Sequence, residues 1–222
     1  MRTRLIDRKL PQYSRGEEIF NMVSHIVGGA LGITALALCV IISALNRNAF
    51  GVVSSAIYGA TMIILYTMSS IYHGLKNSMA KRVFQVLDHC AIYFLIAGTY
   101  TPITLSAIMK INPAIAWTAF GIEWALAALA TTLTAIDIKK YQAFSMICYI
   151  AMGWGVVCIS KTAIAAMTFN GFILLLIGGL FYTVGAILYG IGKKKKNIHG
   201  VFHVFCFLGS LFHFFSIIFY AL

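Results

Sequence analysis

The sequence predicts an all-α membrane protein with seven transmembrane helices, and three observations lead to that class. Of the 222 residues, 60% are hydrophobic and only 10% are charged, whereas a soluble domain carries about a quarter charged residues. The apolar residues are gathered in seven long runs, each near the roughly 20 residues that one helical crossing of a bilayer needs. The Lys and Arg residues are divided unevenly between the polar stretches that separate these runs. A chain of this composition cannot cover itself with polar surface, so we expect a bilayer to be its solvent.

Length and hydropathy place the seven predicted spans one after another, with no room for a soluble domain between them. Their bounds are residues 20–45, 51–72, 86–109, 114–136, 141–160, 171–192 and 199–221. In the third span, Pro102 predicts a kink. In the first span, Gly28, Gly29 and Gly32 allow a neighbouring helix to approach closely.

The positive charges orient the predicted spans. On the side of the N-terminus lie 14 of the 17 Lys and Arg residues, and only Arg47, Lys110 and Lys161 lie on the other side. Because positively charged loops stay in the cytoplasm, we expect a cytoplasmic N-terminus and a C-terminus outside. The chain then divides into a cytoplasmic N-terminal segment, residues 1–18, and a transmembrane domain, residues 19–222.

The net charge of +11 does not predict a nucleic-acid partner. The cations lie between apolar runs, where they act as topology signals and contact anionic lipid headgroups. The five cysteines stand singly in apolar segments, without a CxxC motif, so the sequence indicates neither disulfides nor a thiolate metal site. They are Cys39, Cys90, Cys148, Cys158 and Cys206.

Several polar side chains fall at the cytoplasmic ends of different spans, where ionisable groups are costly and are candidates for function. His73 ends the second span, Asp88 begins the third, and His199 and His203 begin the seventh. The i,i+4 spacing of His199 and His203 puts both on one helix face, as for two ligands of one metal, and Ser69 has the same spacing to His73. Three imidazoles with an open position fit catalytic zinc. From the residues alone, histidines that bind water or phosphate in the headgroup region remain an equal alternative.

Three further polar groups are not assigned to this site. His213 lies ten residues beyond His203, about 15 Å deeper at 1.5 Å per residue, and cannot share its ligand shell. We expect it to be hydrogen-bonded in the interior or to line a cavity. His89 points about 100° away from Asp88 on a helix, so both are not expected to face one metal. Glu123 lies at mid-membrane in the fourth span, and its role is open.

Five motifs run from the first span to the last, and in combination they are distinctive. They are EEIFNMVSH (17–25), SSIYH (69–73), LDHCAIYFLIAGTYTP (87–102), AMGWG (151–155) and HGVFHVFCFLGSLFHF (199–214). With them, essentially the whole chain resembles the bacterial haemolysin III family, relatives of the adiponectin and progestin receptors.

The resemblance implies a particular metal centre. Its zinc ligands would be His73, His199 and His203, and Asp88 would act mainly through a water on the zinc. Ser69 would lie near the site. The family signature ExxNxxSH matches four residues for which the resemblance implies only a supporting role: Glu18, Asn21, Ser24 and His25.

The resemblance also implies a function, a zinc-dependent hydrolase of a ceramide-like lipid amide or a related lipid bond. Asp88 and Ser69 would be the catalytic side chains, and a membrane lipid would be the substrate or ligand. The expected location is the bacterial cytoplasmic membrane. Two alternatives stay open: a regulatory membrane protein with a structural zinc, and the membrane-damaging cytolysin that the family name suggests. The cytolysin is disfavoured because no span carries a water-lining polar stripe. The sequence does not indicate the oligomeric state.

Overall fold

The computed structural model describes residues 4–8, 10–192 and 198–222, and every regular element in these residues is helical. The main helices are α1 (Arg15–Leu45), α2 (Ala49–Gly74), α3 (Met79–Pro102), α4 (Pro113–Ile136), α5 (Gln142–Trp154), α6 (Ser160–Gly192) and α7 (Ile198–Tyr220). Arg2, Lys9 and Lys193 to Lys196, which contributed to the predicted orientation, lie outside the described residues.

Six helical stretches in the described residues are long and apolar enough to cross a membrane. Four are α1, α2, α4 and α7, the fifth is α3 with its continuation to Lys110, and the sixth is the run Gln142–Gly192. Many of their large apolar side chains are exposed rather than packed against other helices. A surface of this kind is stable in lipid, so the chain is a multi-pass membrane protein.

The run Gln142–Gly192 folds back on itself. As one straight helix its 51 residues would be about 77 Å long, more than twice the thickness of a bilayer core of about 30 Å. Thr168 interrupts it with φ 64° and ψ 166°, a conformation that is rare for a β-branched residue. Trp154 Nε1 donates to Thr183 Oγ1 at 3.0 Å, although about 44 Å of straight helix would separate the two residues. The chain therefore reverses direction between Trp154 and Thr183.

The predicted spans leave residues 161–170 as a polar separator between the fifth and the sixth, and the extent of that separator was wrong. Most of this stretch continues as helix, and the break is confined to Thr168. The physical reason is that the separator contains an apolar Ile-Ala-Ala-Met segment at 164–167, which has high helix propensity.

Polar caps rather than apolar residues determine where α1 and α3 start, so both begin well before the residues 20 and 86 that hydropathy predicted. Ser14 caps α1: its hydroxyl accepts from Glu17 N, and its own N–H donates to the Glu17 carboxylate. Ser78 caps α3 by accepting from Lys81 N at 3.2 Å. The capping box at Ser14 and the cap at Ser78 thus put Glu18 and Lys81 in the first turns of their helices.

The geometry of the third span changes at Pro102, where the kink was expected. α3 ends there, and a π-helical turn, Ile103–Ala107, and a 3₁₀ turn, Ile108–Lys110, complete the segment. Proline has no N–H to donate, so the regular hydrogen-bond pattern is interrupted at this residue.

The first helices pack closely at a glycine. A Cβ atom added to Gly28 would overlap the ring of Tyr66, whereas one added to Gly29 would make only an ordinary contact with that residue. Tyr66 is buried and its hydroxyl hydrogen-bonds Ser210 on α7 at 2.7 Å. We therefore expect Gly28→Ala to destabilise the protein by about 1–3 kcal/mol and Gly29→Ala by less than about 0.5 kcal/mol. Thermal melting in detergent measures both, and equal melting temperatures would contradict this packing.

Candidate metal centre

Three buried histidines bring their nitrogen atoms together. His73 comes from the end of α2, and His199 and His203 come from the first turns of α7. One ring nitrogen from each lies within 4.8 Å of the others. The structure thus brings together the three histidines that the sequence singled out. Within the described part of the chain, they form the single group of three or more His, Cys, Asp or Glu side chains with this geometry.

The donor atoms of this cluster fit a metal ion. Nε2 of His73 and Nε2 of His203 are buried and have no hydrogen-bond partner in the part of the chain that the structure describes, which is costly for a polar atom unless something else binds it. The other ring nitrogen of each histidine is engaged: Nδ1 of His73 lies 2.7 Å from Glu18 Oε2, and Nδ1 of His203 lies 2.6 Å from His25 Nε2. This is how metal-binding histidines are usually held, with one nitrogen on the ion and the other on a protein acceptor.

A chain of polar contacts extends from His73 to α3. Lys81 Nζ donates to Glu18 Oε1 at 2.5 Å and to the Leu75 carbonyl at 2.9 Å. Asn21 Nδ2 lies 3.5 Å from His73 Nδ1. Glu18 and Asn21, for which the resemblance implied only a supporting role, are therefore in contact with a candidate metal ligand, a contact that the sequence did not predict.

A signal for this role is present in the sequence. Glu18, Asn21 and His25 are spaced i, i+3, i+7, which puts all three on one face of α1. That face lies against the histidine cluster, because His25 contacts His203. The ring of His25 is also nearly parallel to that of His73, with 6.3 Å between the ring centroids.

Ser69 and Asp88 lie beside the cluster. The Ser69 hydroxyl is 3.2 Å from His25 Nε2 and also interacts with the Asp88 carboxyl group. Asp88 is outside the group of three close ligand nitrogens, but it lines the same cavity as His199 and His203.

Three further polar residues that the sequence singled out, His89, His213 and Glu123, are not part of the histidine cluster. His89 donates from Nδ1 to the Gln85 carbonyl at 2.8 Å, and its Nε2 lies 3.3 Å from the Tyr189 hydroxyl. His213 donates from Nε2 to the Leu175 carbonyl at 3.1 Å and lines the cavity, as predicted. Glu123 is buried, and its Oε2 has no hydrogen-bond partner within residues 4–8, 10–192 and 198–222.

A long, mostly apolar cavity of about 190 Å³ reaches the cluster at His199 and His203. Its lining includes His199 and Tyr13 at one end and His213 and Tyr100 at the other. The part of α7 between His199 and His213 is about 21 Å long at 1.5 Å per residue. The histidine cluster therefore lies at one end of an elongated cavity that runs along the helices.

A second, polar cavity of about 710 Å³ borders the cluster at His73, and Arg15, Lys76 and Lys81 line it. Tyr13 lines both cavities, and its ring stacks on His199 with a centroid distance of 4.7 Å. Burial, with smaller effects of Tyr189 and nearby carboxylates, raises the pKa of the Tyr13 phenol above its usual range. Its hydroxyl is therefore neutral at physiological pH, and Tyr13 separates the two cavities as an uncharged aromatic ring.

Comparison with known proteins gives consistent matches over almost the whole chain. The family model described as "Haemolysin-III related" matches residues 13–214. "Hemolysin-3" of Bacillus cereus is 36% identical over 206 residues, covering 93% of this chain and 92% of that protein. The "Hemolysin-3 homolog" of Bacillus subtilis is 36% identical over 205 residues, covering 92% and 94%. "Monocyte to macrophage differentiation factor" of Homo sapiens is 25% identical over 207 residues, covering 89% and 79%.

Proposed function

The chain belongs to the haemolysin-III-related family, and from that premise we propose that it is a zinc-dependent hydrolase of a lipid amide, or of a related lipid bond. One observation carries this proposal: two histidines of a buried cluster of three, His199 and His203, line a long apolar cavity. The cluster has the donor set of a metal centre, and the cavity has the surface that a hydrocarbon chain needs.

Zinc suits the ligands that this chain offers. His73, His199 and His203 would hold it through imidazole nitrogens, which is the set of protein ligands in many catalytic zinc sites. A hard cation such as Mg²⁺ would favour carboxylate and carbonyl oxygens instead. When bound, zinc would supply a Lewis acid that polarises a scissile carbonyl and lowers the pKa of water.

The surrounding side chains have separate roles in the proposed reaction. Asp88 orients the attacking water and accepts its proton. Ser69, which interacts with both Asp88 and His25, holds the Asp88 carboxylate in position. The apolar wall of the cavity binds the hydrocarbon chain and keeps bulk water away from the scissile bond.

The length of the cavity supports a lipid substrate. It follows α7 for about 21 Å, which exceeds half the thickness of a bilayer core of about 30 Å. One acyl chain of a membrane lipid has comparable reach, so the scissile bond would lie at the histidines while the chain extends toward His213.

The test of this function is direct product analysis. Purified protein loaded with zinc is incubated with liposomes that contain an N-acyl sphingoid lipid, and free fatty acid is measured by mass spectrometry. We expect release of fatty acid that a zinc chelator abolishes and added zinc restores. Release that continues unchanged after complete removal of metal would contradict a zinc hydrolase.

We further propose that the chain crosses a bacterial cytoplasmic membrane seven times. The reversal near Thr168 supports two crossings within the run Gln142–Gly192, and the Bacillus relatives support the location. The excess of positive charge supports a cytoplasmic N-terminal segment, residues 1–18, ahead of the transmembrane domain, residues 19–222.

The orientation can be tested at the two ends of α4. Lys110 and Lys140 are both exposed and flank this helix. In a cysteine-free background, we expect a membrane-impermeant maleimide to label Lys110→Cys on intact cells and to label Lys140→Cys only after the cells are opened. The reverse pattern would invert the proposed topology, and labelling of both on intact cells would contradict a single crossing by α4.

Two other functions remain as outcomes of these experiments. A structural zinc without turnover is favoured by the position of the histidines, which link α2 to α7. It predicts that zinc raises the melting temperature while no lipid is consumed. A cytolysin is favoured by the name of the Bacillus relatives, and it predicts lysis of red cells by added purified protein.

A further inference from the structure

We propose that Glu18 is a positioning residue of the metal centre: held by Lys81, it fixes His73 in the tautomer that offers Nε2 to the metal. This inference rests on the proposed zinc site and adds a residue of α1 to it.

The geometry determines which nitrogen of His73 carries the proton. Glu18 Oε2 lies 2.7 Å from Nδ1 of His73, and an ionised carboxylate can only accept a hydrogen bond. Nδ1 therefore carries the proton. A neutral imidazole has one N–H, so the lone pair is on Nε2. This Nε2 is buried and has no hydrogen-bond partner among the residues that the structure describes.

Lys81 holds Glu18 in this position. Its ammonium group donates to the second carboxylate oxygen of Glu18 at 2.5 Å and to the Leu75 carbonyl at 2.9 Å. The side chain of Lys81 is 5% exposed and that of Glu18 is 20% exposed. Because both groups are largely withdrawn from water, each needs the opposite charge of the other. The carboxylate consequently has one oxygen on the lysine and the other on the histidine.

The chemistry of this contact differs from that at the second ligand. His203 has the neutral imidazole of His25 on its Nδ1, whereas His73 has a charged carboxylate. A carboxylate on the far nitrogen orients the ring and makes a histidine a stronger metal ligand. Glu18 therefore contributes to metal affinity without touching the metal.

The test compares zinc affinity in Glu18→Gln and Glu17→Gln. Glu17 is a matched control, because it is the adjacent residue and loses the same charge, while a glutamine can still accept the Ser14 N–H in the helix cap. Affinity is measured on purified protein by competition with a chelating dye. We expect Glu18→Gln to bind zinc about 10- to 100-fold more weakly and Glu17→Gln to be much less affected, because the Glu17 carboxylate caps α1 at Ser14 and its charge has only a small effect on His199.

A second measurement separates positioning from a general structural role. Zinc raises the melting temperature by an amount that depends on its dissociation constant, so the difference between zinc-loaded and metal-free protein should shrink in Glu18→Gln and stay unchanged in Glu17→Gln. A residue that only braced α1 against α3 would lower both melting temperatures equally.

Glu18→Asp keeps the proposal testable if Glu18→Gln does not fold. Aspartate retains the charge but is one methylene shorter, so it cannot reach both Lys81 and His73, and we expect intermediate zinc affinity. Wild-type affinity in every folded variant would overturn the role of Glu18 and leave the zinc site intact. A wild-type protein that binds no zinc would overturn both the zinc site and the role of Glu18. Zinc binding by the wild-type protein is therefore measured before any variant is compared with it.

Discussion

His203→Ala is expected to remove the stoichiometric zinc from the purified protein and to weaken zinc binding by at least about 100-fold. Structural zinc sites bind with about 10–16 kcal/mol, so one of three protein ligands contributes roughly 3–5 kcal/mol, and about 1.4 kcal/mol corresponds to tenfold in affinity. His203 is buried, and its Nε2 has no hydrogen-bond partner among the described residues. The substitution therefore removes one of the three proposed imidazole ligands.

The matched control is His213→Ala on the same helix. His213 donates to the Leu175 carbonyl and lies about 15 Å from His203 along α7. We expect this variant to retain its zinc, even if the lost hydrogen bond lowers its melting temperature. Elemental analysis of the two proteins after dialysis measures how much zinc each retains. Full zinc in His203→Ala, or loss of zinc in both variants, would contradict the assignment of ligands.

Asp88→Asn is expected to reduce lipid hydrolysis by about 10²- to 10⁴-fold, which is the usual contribution of a general base. It should retain its zinc, because Asp88 lies outside the group of three ligand nitrogens. Asparagine has nearly the same shape but cannot accept a proton from water at neutral pH. The pair of results, metal kept and turnover lost, distinguishes a catalytic site from a structural zinc.

A comparable substitution elsewhere provides the control for Asp88→Asn. Asp137 accepts from the backbone N–H groups of Lys139 and Lys140 through Oδ1, and an asparagine side chain can accept the same bonds. Asp137→Asn should therefore hydrolyse lipid at the wild-type rate. Wild-type activity in Asp88→Asn would rule out its role as the base. Activity that falls equally in both variants would indicate a loss of folded protein.

The three histidines could be found from the sequence because two simple rules determine their positions. Alternation of spans puts His73 and His199 at one membrane depth, and helical periodicity puts His203 on the same face as His199. Neither rule depends on how the helices pack. The structure then added what depth and spacing cannot supply, the distance between nitrogens on α2 and α7.

The contacts of Glu18 and His25 could not be predicted in the same way. Their roles depend on the rotation of α1 about its axis, which is set by the packing of Gly28 against Tyr66 and by the contact of His25 with His203. The spacing of Glu18 and His25 identifies a shared face, but it does not say which neighbour that face meets. Their contribution therefore became visible only in the folded chain.

The bounds of the helices are a second feature that hydropathy could not predict in full. α1 and α3 start at caps provided by Ser14 and Ser78, and the chain reverses at Thr168 rather than over the whole stretch of residues 161–170. Hydropathy detects the part of a helix that lies in lipid. It does not detect polar first turns, and those turns carry Glu18 and Lys81.

X-ray absorption at the zinc edge of the purified wild-type protein is the most direct test of the metal centre. We expect one zinc per chain, bound by nitrogen and oxygen at about 2.0–2.1 Å, with the multiple-scattering pattern of three imidazoles. The same measurement is sensitive to sulfur at about 2.3 Å, which the five cysteines could supply if the histidine assignment were wrong. A sulfur shell, or a folded protein that takes up no zinc at all, would contradict the site built by His73, His199 and His203.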